Sequence, residues 1–405
     1  MKSICVVTQS DYEIDPRVRR KAEALAAAGY EVDVLALRPP NGKATFSVNG
    51  VNVRTFALSK KRGSIVRYAY EYAAFLFWAC VHVTRGTGKN KYAVIDVNTL
   101  PDFLIFSAAI AKWRGAKLVL DMHEITPEFC MSKYGVTEKS WRVRLCKFLE
   151  KISFDFADHV ITINHPIQEL VHKRGLPLEK SLVITNSADD ARFANVLARN
   201  ETEPAENGDR FVMMYHGTLT RIYGLDIAIE AFALVHKEMP GAEIWILGQG
   251  PEVATLKELI HKNNLGSKVK LVGSVPSPTI QDWLTKCDIG ILPIRRDVFL
   301  EFAFPNKLPE FILSDRTVIV SRLSAIRYYF DEDAVAYFNP HDIQDLSRQM
   351  VRMYKDPDLR SRLASQAKKQ YAPIRWDVMK QRYLDLIDGL CKEESPEEQV
   401  DLVSQ

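Results

Sequence analysis

The chain has 405 residues, of which 47% are hydrophobic and 26% are charged, and its formal net charge at pH 7 is +3. This length exceeds what one ordinary core needs and suits two domains of about 150–200 residues each. The balance of apolar and charged residues is typical of a soluble globular protein. The small net charge gives no indication of nucleic-acid binding.

The apolar segments are too short for a secretory signal or a membrane span. Residues 4–7 form an apolar run shorter than a signal-peptide core, and no small-residue cleavage site follows it. The longest apolar stretch, residues 73–83, falls short of the roughly 20 residues that a transmembrane helix needs. It predicts a buried helix, with contact to a membrane surface as the alternative.

The six cysteines favour a reducing compartment. None of them are paired at CxxC spacing, and Cys5 and Cys287 lie in or beside apolar runs, where a cysteine usually acts as a small hydrophobe. Since no signal peptide is recognised either, the sequence predicts a cytoplasmic protein.

Short apolar runs alternate with segments of helical periodicity. In the first half, runs rich in Val, Ile and Leu occupy residues 4–8, 32–37, 51–56, 93–97, 118–121, 160–163 and 182–185. They lack in-and-out alternation, which favours parallel strands buried on both faces. Between the first two runs, Val18, Ala22 and Leu25 share one face of a helix that Pro16 can begin and Gly29 can end.

A polar segment with Pro and Gly, residues 194–210, is the predicted interdomain linker. The alternating pattern then restarts. Strand candidates are residues 211–215, 244–247, 269–272, 289–292, 318–320 and 335–338, and helical segments are residues 226–237, 252–262, 279–286, 307–313 and 345–354. The sequence therefore predicts an α/β protein with two doubly wound parallel-sheet domains, residues 1–193 and 211–371, and an acidic tail at 393–405. In such sheets ligands bind beyond the carboxyl ends of the strands.

In the second domain, three strand ends carry small or charged residues. The first strand is followed by HGTLTRIYG, where Gly217 allows a ligand to approach the backbone and Arg221 can neutralise a phosphate. Gly248 follows the second strand and suits a tight turn, and Gly273 follows the third and could leave backbone groups open to a flat base. For the first and third loops an ordinary turn is the equally weighted alternative.

The segment LEFAFPNKLPEFIL, residues 300–313, is the richest in candidate ligands. Asn306 and Lys307 stand where a helix can begin, and a cation in a first turn opposes the helix dipole, so a bound anion would explain Lys307 better than helix stability does. Glu310 lies one turn further and could accept hydrogen bonds from two sugar hydroxyls. The alternative is a solvated Lys–Glu pair.

In the first domain, the strand at 118–121 leads into DMHEITPE, which places His123 beside three carboxylates at a strand's carboxyl end. This predicts a polar site. A zinc site is a weak alternative, because HExxH is absent and the segment is not predicted to be helical. The clear Asp-x-Asp, Asp331 to Asp333, lies in a polar turn and gives little reason to expect a metal.

Taken together, these segments resemble glycosyltransferase family 4, of the GT-B fold. The opening DYEIDPRVRRKAEALAAAGYEVDVLALR, VIDVNTLPD and LVLDMHEITPE resemble its bacterial surface-polysaccharide members. YHGTLTRIYGLDIAIEAF, ILGQGPE, VKLVGSV, CDIGILPI and FPNKLPEFI follow the order and spacing of the family's donor domain. The resemblance extends from Met1 to about residue 390. It implies two Rossmann-like domains that face a central cleft, with a helix at about 372–392 crossing back onto the acceptor-binding first domain.

The resemblance also implies site roles. The nucleotide base would lie near Gly273 and Ser274, and Glu310 would match the second glutamate of the family's Glu-x7-Glu motif and hold the ribose. The first glutamate position is Phe302 here, and Glu301 is one residue away, so Glu301 is the candidate for contact with the transferred sugar.

Two cationic positions of the family are replaced in this chain, by Thr218 and Tyr223, and Arg221 and Lys307 are the candidates to supply the missing charge. His123 matches the family's histidine that contacts the donor sugar. The donor-side and catalytic candidates are Gly217, Thr218, Arg221, Gly248, Gly273, Ser274, Glu301, Asn306, Lys307, Glu310 and His123, and the acceptor-side candidates are Asp15, Arg17, Asn98 and Glu124.

The implied activity is transfer of a hexose-type sugar from a nucleotide-diphosphate sugar to a glycan or lipid-linked acceptor, with retention of configuration, in surface-polysaccharide biosynthesis. Because cations can stabilise the leaving diphosphate, no metal and no other cofactor is expected. The alternatives are a nucleotide-sugar 2-epimerase, in which Glu124 and Glu128 would be acid–base groups, and a non-catalytic relative. A dehydrogenase is disfavoured because GxGxxG is missing after the first strand.

Two basic and aromatic segments of the first domain, residues 59–67 and 141–151, could contact an anionic membrane. The expected location is then the cytoplasm, with peripheral docking at the inner face of the plasma membrane. Basic, solvated helix faces without lipid contact are the equally weighted alternative.

Overall fold

The computed structural model describes residues 2–58, 65–90, 92–190, 193, 210–276 and 279–392. Two compact units are present: the first contains the chain up to Thr185 and from Met379 onward, and the second contains Asn186–Val378. Nearly all of the predicted linker, all of the predicted tail and most of the basic segment 59–67 lie outside the described residues.

The first unit is built on an eight-stranded sheet in the order β3-β4-β2-β1-β5-β6-β7-β8. Val6 on the central strand is in register with Val34 on β2 and Asp96 on β5. The strands are β1 Ser3–Asp11, β2 Glu31–Leu37, β3 Thr45–Val48, β4 Val51–Phe56, β5 Val94–Asn98, β6 Lys117–Asp121, β7 His159–Thr162 and β8 Ser181–Val183.

The strand prediction missed β3, the antiparallel edge strand of this sheet, whereas β4 has the predicted bounds. β3 pairs antiparallel with β4, whereas the other pairs are parallel. Asn49 and Gly50 join the two strands with φ of 49° and 78°, and an Asn-Gly pair with two positive φ values is the commonest short hairpin signal. β4 also alternates between buried and exposed residues, because it lies next to the edge and has one solvated face.

Helices cover the first sheet. The predicted Pro16 helix begins at Pro16 with Asp15 as its N-cap, and Gly29 follows it with φ 90°. Residues 73–83 lie inside α2, where Phe75, Ala79 and Val83 are buried but Phe77 is 71% exposed, so the predicted helix is present but buries only one face. The helices are α1 Pro16–Ala27, α2 Ile65–Asn90, α3 Ala109–Trp113, α4 Thr126–Tyr134, α5 Trp141–Phe156 and α6 His165–Lys173. Among the described residues, no helix has the length and apolarity needed to cross a bilayer.

The second unit contains a six-stranded, fully parallel sheet in the order β11-β10-β9-β12-β13-β14. Its strands are β9 Phe211–His216, β10 Ala242–Leu247, β11 Val269–Gly273, β12 Ile289–Leu292, β13 Thr317–Ser321 and β14 Ala336–Phe338. Its helices are α7 Leu225–Val235, α8 Val253–Lys262, α9 Ile280–Leu284, α10 Lys307–Leu313, α11 Ser324–Arg327, α12 Ile343–Lys355 and α13 Pro357–Tyr371. The two parallel-sheet α/β domains confirm the predicted fold class.

The last helix, α14 Trp376–Lys392, belongs to the first unit from Met379 onward. Met379 Sδ accepts a hydrogen bond from the backbone N–H of Thr185 at 3.2 Å. Tyr383 is fully buried, and its hydroxyl donates to Asp96 Oδ2 at 2.6 Å. This helix therefore contributes a buried hydrogen-bond donor to the first sheet.

Two glycines let the loops after β9 and β10 pack closely. Gly217 and Gly248 have φ of 126° and 141°, conformations that residues with a Cβ rarely adopt. A Cβ on Gly248 would overlap the carbonyl oxygen of Gly217, and a Cβ on Gly217 would overlap the side chain of Lys307. Protein atoms thus fill the space beside both glycines.

The Gly248 contact predicts a large, local stability effect. Gly248→Ala is expected to lower the free energy of unfolding by about 1–4 kcal/mol, because the added Cβ overlaps backbone and the φ is strained. Gly266→Ala is the matched control, since nothing lies within 4 Å of its Cβ position, and its effect is expected to stay below about 1 kcal/mol. Chemical denaturation measures both, and equal effects would contradict the packing described.

Candidate functional site

The first unit contains a cavity of about 210 Å³ at the carboxyl ends of β1, β5 and β6. Predicted residues in its wall are Asp15, Arg17, His123 and Glu124. Other residues in its wall are Thr8, Gln9, Ser10, Tyr68, Glu71, Tyr72, Thr99, Leu100, Phe129 and Lys133. Aromatic rings beside hydroxyl, amide and charged groups make a surface suited to a polar ligand with apolar faces, such as a sugar.

His123 is fixed by buried partners. Its backbone N–H donates to Thr99 Oγ1 at 3.0 Å, and its Nε2 lies 3.3 Å from Asp121 Oδ2. The same oxygen forms an ion pair with Lys21, whose side chain is 7% exposed. Burial, together with Arg17 and Lys21, holds the pKa of His123 well below its ordinary value. The imidazole is therefore neutral near pH 7.

Glu124 is an acid whose charge state changes near neutral pH. Burial raises its pKa to about 7, while Arg17 opposes the rise and Asp15 adds to it. Asp15 and Arg17 form a two-point ion pair, with Nε–Oδ1 3.1 Å and Nη2–Oδ2 3.2 Å. Asp15 also caps α1, so both a structural and an acceptor-side role are available to it.

Two predicted polar residues lie elsewhere. Asn98 is buried beneath the cavity wall, where its Nδ2 donates to Asp96 Oδ1 at 3.3 Å. Glu128 points to Arg174, which also bonds Glu150 at 3.2 Å. α4 begins at Thr126, so the segment after Ile125 is helical, contrary to the prediction. Within the described ranges, no three His, Cys, Asp or Glu side chains are grouped to hold a metal ion.

Sequence reasoning missed Lys21. This residue lies on the buried face of α1 with Val18, Ala22 and Leu25, so a cation at an apolar helical position was the signal available. Burial lowers the pKa of Lys21 to about 8, although attraction to Asp96 opposes the shift. Tyr68, Glu71 and Lys133 of the cavity wall were missed as well, since aromatic and charged residues on helices give no such signal.

In the second unit, Lys307 is the centre of a cluster at the carboxyl end of β9. Its Nζ lies 4.3 Å from the ring centroid of Tyr223 and 5.3 Å from that of Tyr215. Its side chain runs past Gly217. Burial lowers its pKa to about 8, with Glu310 opposing the shift. The solvated pair considered from the sequence therefore does not describe Lys307.

Glu310 faces the same cluster. Its Oε2 lies 3.3 Å from His216 Nε2, although that nitrogen is not aligned to hydrogen-bond. Burial and then Lys307 lower the pKa of His216 to about 3, so this imidazole is neutral. The arrangement places one ammonium and one carboxylate, on consecutive turns of α10, beside the loop that follows β9.

The remaining predicted residues of this unit are less enclosed. Arg221 is exposed, and in the described part of the chain its guanidinium makes no hydrogen bond or ion pair. Thr218, Ser274 and Asn306 are also exposed, and Asn306 makes no capping hydrogen bond to α10. The carbonyl of Gly273 accepts from the N–H of Gly248 at 2.7 Å, so it is already paired.

Glu301 is engaged within its own unit. Its Oε2 lies 2.8 Å from Arg296 Nε, and its Oε1 accepts from the backbone N–H and the hydroxyl of Ser324, at 3.0 and 2.5 Å. This carboxylate anchors the turn before α10 to the start of α11. The Asp331 turn is likewise closed internally, by Gln370 Nε2 at 2.6 Å and by the N–H of Asp333 at 3.0 Å.

Two parallel-sheet α/β domains, each with polar groups gathered at the carboxyl ends of its strands, define the Rossmann-like class of two-domain proteins. Residues 14–187 match the glycosyl transferase 4-like domain family, and residues 210–356 match glycosyl transferases group 1. The chain is therefore a glycosyltransferase of the GT-B type and belongs to glycosyltransferase family 4.

Individual relatives are distant. The chain is 21% identical to the gpi3 subunit of phosphatidylinositol N-acetylglucosaminyltransferase from Schizosaccharomyces pombe, over 60% of this chain and 52% of the relative. It is 31% identical to the amylovoran biosynthesis glycosyltransferase AmsK from Erwinia amylovora, over 33% and 34%. The chain thus spans about half the length, or less, of these curated relatives. The structure of Anabaena HepE in complex with UDP-glucose superposes with a TM-score of 0.71 at 17% identity, covering 96% of this chain and 100% of that one.

The raised pKa of Glu124 predicts a pH-dependent stability difference. The folded protein holds this proton more tightly than the unfolded chain does, so the stability that the proton provides is lost as pH rises from about 4.5 through 7. Glu124→Gln removes the effect. Its free energy of unfolding relative to the parent is expected to rise by up to about 3 kcal/mol between pH 5 and pH 8.

Denaturation with urea at both pH values measures this difference. Glu13→Gln, which removes an exposed carboxylate, is the control for the loss of one acidic side chain. A pH-independent difference for Glu124→Gln would show that this carboxyl has an ordinary pKa.

Proposed function

We propose that this protein is a retaining, metal-independent hexosyltransferase that uses a nucleotide-diphosphate sugar and acts in surface-polysaccharide biosynthesis. The observation that carries the donor part is the Lys307 cluster, a largely buried ammonium beside the loop after the first strand of the second sheet. The similarity of this chain to AmsK, an amylovoran biosynthesis glycosyltransferase, supports the polysaccharide role, as does the motif resemblance. Retention of configuration rests on the family resemblance.

Lys307 is the residue proposed to meet the diphosphate. Two positions at which the family carries cations are Thr218 and Tyr223 here, and the Lys307 ammonium stands directly over the Tyr223 ring. A buried cation with few compensating charges attracts a phosphate strongly, because the low local dielectric weakens screening. Glu310, one turn further along α10, is the proposed ligand of the ribose hydroxyls. HepE in complex with UDP-glucose makes UDP and UDP-sugars the first ligands to test.

The two roles predict different losses of affinity. Lys307→Met is expected to weaken UDP binding by about 1.5–3 kcal/mol, the contribution of a charged hydrogen bond, and to leave uridine binding nearly unchanged. Glu310→Ala is expected to weaken both by about 1–3 kcal/mol, because both ligands carry the ribose. Isothermal titration calorimetry in EDTA measures each Kd.

The exposed Lys262 of α8 provides the control, and Lys262→Met is expected to bind both ligands as the parent does. Equal losses of UDP and uridine affinity in Lys307→Met would remove the diphosphate role. If the parent binds UDP without EDTA but not in its presence, the proposed metal independence is wrong.

A lipid-linked acceptor is favoured by the surface next to the cavity of the first unit. Lys133 of the cavity wall lies over the rings of Tyr68, at 4.7 Å, and Tyr134, at 5.4 Å. The Arg142 guanidinium lies 5.5 Å from the centroid of the same Tyr134 ring and 5.8 Å from that of the Trp141 ring. A continuous row of cations and aromatic rings therefore leads from the cavity to α5.

α5 carries an apolar stripe beyond that row. Trp141, Leu145 and Phe148 share one face and are 67%, 46% and 59% exposed. Lys147 and Lys151 of this helix pair with Glu138 and Asp155. Arg142 and Arg144 make no ion pair within the described ranges, so they are available to lipid phosphates. We infer that the acceptor sugar occupies the cavity, its phosphate meets Lys133 and Arg142, and α5 lies on the anionic cytoplasmic face of the membrane.

Membrane contact of this kind is sensitive to charge and salt. The parent is expected to co-sediment with vesicles containing anionic phospholipid at low salt and to be released at high salt, because each cation contributes about 1 kcal/mol near such a surface. Replacing Arg142 and Arg144 by Glu is expected to abolish co-sedimentation. Trp141→Ser with Phe148→Ser is expected to weaken it at every salt concentration.

The matched control replaces two exposed lysines of the second unit, Lys237 and Lys262, by Glu. This variant is expected to bind vesicles as the parent does, although its net charge changes equally. Loss of vesicle binding in the control would show that the net charge of the protein, rather than α5, determines binding to the vesicles. An absence of binding by the parent at low salt would remove the membrane proposal.

A nucleotide-sugar 2-epimerase is the second candidate, and Glu124 is the observation that favours it. A cavity carboxyl with a pKa of about 7 is poised for acid–base chemistry. Incubation with a nucleotide sugar in the absence of acceptor separates the two activities. The transferase proposal predicts an unchanged sugar nucleotide, whereas a new sugar nucleotide would establish the epimerase. Turnover in the presence of acceptor also excludes a non-catalytic relative.

A further inference from the structure

A buried chain of charges and hydrogen bonds lies under the cavity of the first unit. His123 Nε2 lies 3.3 Å from Asp121 Oδ2, the atom that also pairs with Lys21. Lys21 Nζ lies 5.6 Å from the ring centroid of Tyr383, and the Tyr383 hydroxyl donates to Asp96 Oδ2 at 2.6 Å. All five side chains are at least nine-tenths buried. Four elements, α1, β5, β6 and α14, thus meet beneath one imidazole.

This arrangement selects one form of the imidazole. Asp121 Oδ2 is a carboxylate oxygen and only accepts hydrogen bonds, so the proton of neutral His123 belongs on Nε2. The described residues provide no partner for Nδ1, and His123 lies in the cavity wall. Nδ1 is therefore the ring nitrogen that is left to accept a hydrogen bond from a ligand.

We propose that Lys21, Asp121 and Tyr383 are positioning residues that keep His123 neutral, with its proton on Nε2 and with Nδ1 presented to accept a hydrogen bond from a substrate hydroxyl. The identity of that substrate as a sugar rests on the proposed function. The protonation state of His123 does not depend on it.

Lys21 balances Asp121 in this scheme. A lone buried carboxylate beside Nε2 would favour the imidazolium, which has no acceptor nitrogen. The ammonium of Lys21 neutralises that carboxylate, and Arg17 of α1 adds a second positive charge near the ring. The opposing acids are Asp15 and Glu124, which both lie in the cavity wall with Arg17.

Tyr383 keeps Lys21 on Asp121. Asp96 is a second buried carboxyl that attracts Lys21. Burial raises the pKa of Asp96, and both Lys21 and the Tyr383 hydroxyl oppose the rise. The Tyr383 hydroxyl and Asn98 Nδ2 donate to Asp96 at 2.6 and 3.3 Å, so these hydrogen bonds share with Lys21 the stabilisation of its charge. Without the hydroxyl, Lys21 would shift toward Asp96, and Asp121 would lose part of its balancing charge. The final helix therefore acts on His123 through Asp96 and Lys21.

Nitrogen-15 NMR of the histidine rings tests the proposal. The protein is labelled at its nine histidines, and His123→Gln assigns the His123 signals. In the parent, His123 is expected to remain neutral with the proton on Nε2 from pH 5.5 to pH 8. In Lys21→Met the pKa of His123 is expected to rise into this pH range, and in Tyr383→Phe it is expected to rise less, with the imidazolium detected at pH 5.5.

Lys112→Met is the matched control, because Lys112 forms an ion pair with Asp158 in the same unit and is not among the charges that shift His123. It is expected to leave the His123 titration unchanged. In sugar-transfer assays at pH 5.5, both positioning variants are expected to lose kcat in proportion to the imidazolium fraction that NMR measures, Lys21→Met more than Tyr383→Phe, and to recover as the pH is raised.

Each outcome bears on the proposal. A His123 proton on Nδ1 in the parent, or an unchanged His123 titration in Tyr383→Phe, would overturn it, and the second result suffices if Lys21→Met does not fold. Loss of kcat without a change in the titration would assign these residues a purely structural role and also overturn it. Failure of every sugar nucleotide to turn over, with the predicted titrations observed, would instead refute the proposed function.

Discussion

Burial of both faces of each parallel sheet restricts where polar chemistry can be placed in this molecule. Helices cover the sheets, so polar side chains gather where the parallel strands end. In the first unit these ends carry His123, Asp121 and the cavity. In the second they carry His216, Gly217 and Lys307. As a result, each cluster contains one lysine whose side chain lies largely out of water.

The two buried lysines differ in how their charge is compensated. Lys21 is compensated within the protein by Asp121 and lies near Asp96, so its charge is used to hold a neighbouring imidazole neutral. Lys307 faces aromatic rings and has Glu310 as its nearest opposing charge, so its charge remains available to a ligand. Burial alone does not distinguish a structural cation from a binding one, but the neighbouring acids do.

Much of the fold could be predicted from the sequence, because apolar runs mark parallel strands and glycines mark their ends. β12 and α10 have the predicted bounds. β3 was not predicted, although Asn49 and Gly50 signal a hairpin, because its residues are exposed or half-buried and form no apolar run. The 3-10 helix Asp102–Ala108 carries no periodic pattern that would reveal it.

The candidate sites were harder to predict, because their contacts join residues far apart in the chain. The position of Lys307 in a first helical turn identified it as a candidate, but did not show that its side chain packs against Gly217. The family's motif spacing was used for Glu301. It placed Glu301 near a missing glutamate, but Arg296 and Ser324 hold that carboxylate. The pairing of Tyr383 with Asp96 joins residues at opposite ends of the chain. Such pairs follow from the fold and cannot be read from local sequence.

The crystal structure of the protein with UDP tests the central claim most directly, since it locates the diphosphate and the ribose at once. The account predicts phosphate oxygens within about 3 Å of Lys307 Nζ, the usual length of a charged hydrogen bond, and ribose hydroxyls bonded to Glu310. UDP bound with its diphosphate away from Lys307 and its ribose away from Glu310 would contradict the account.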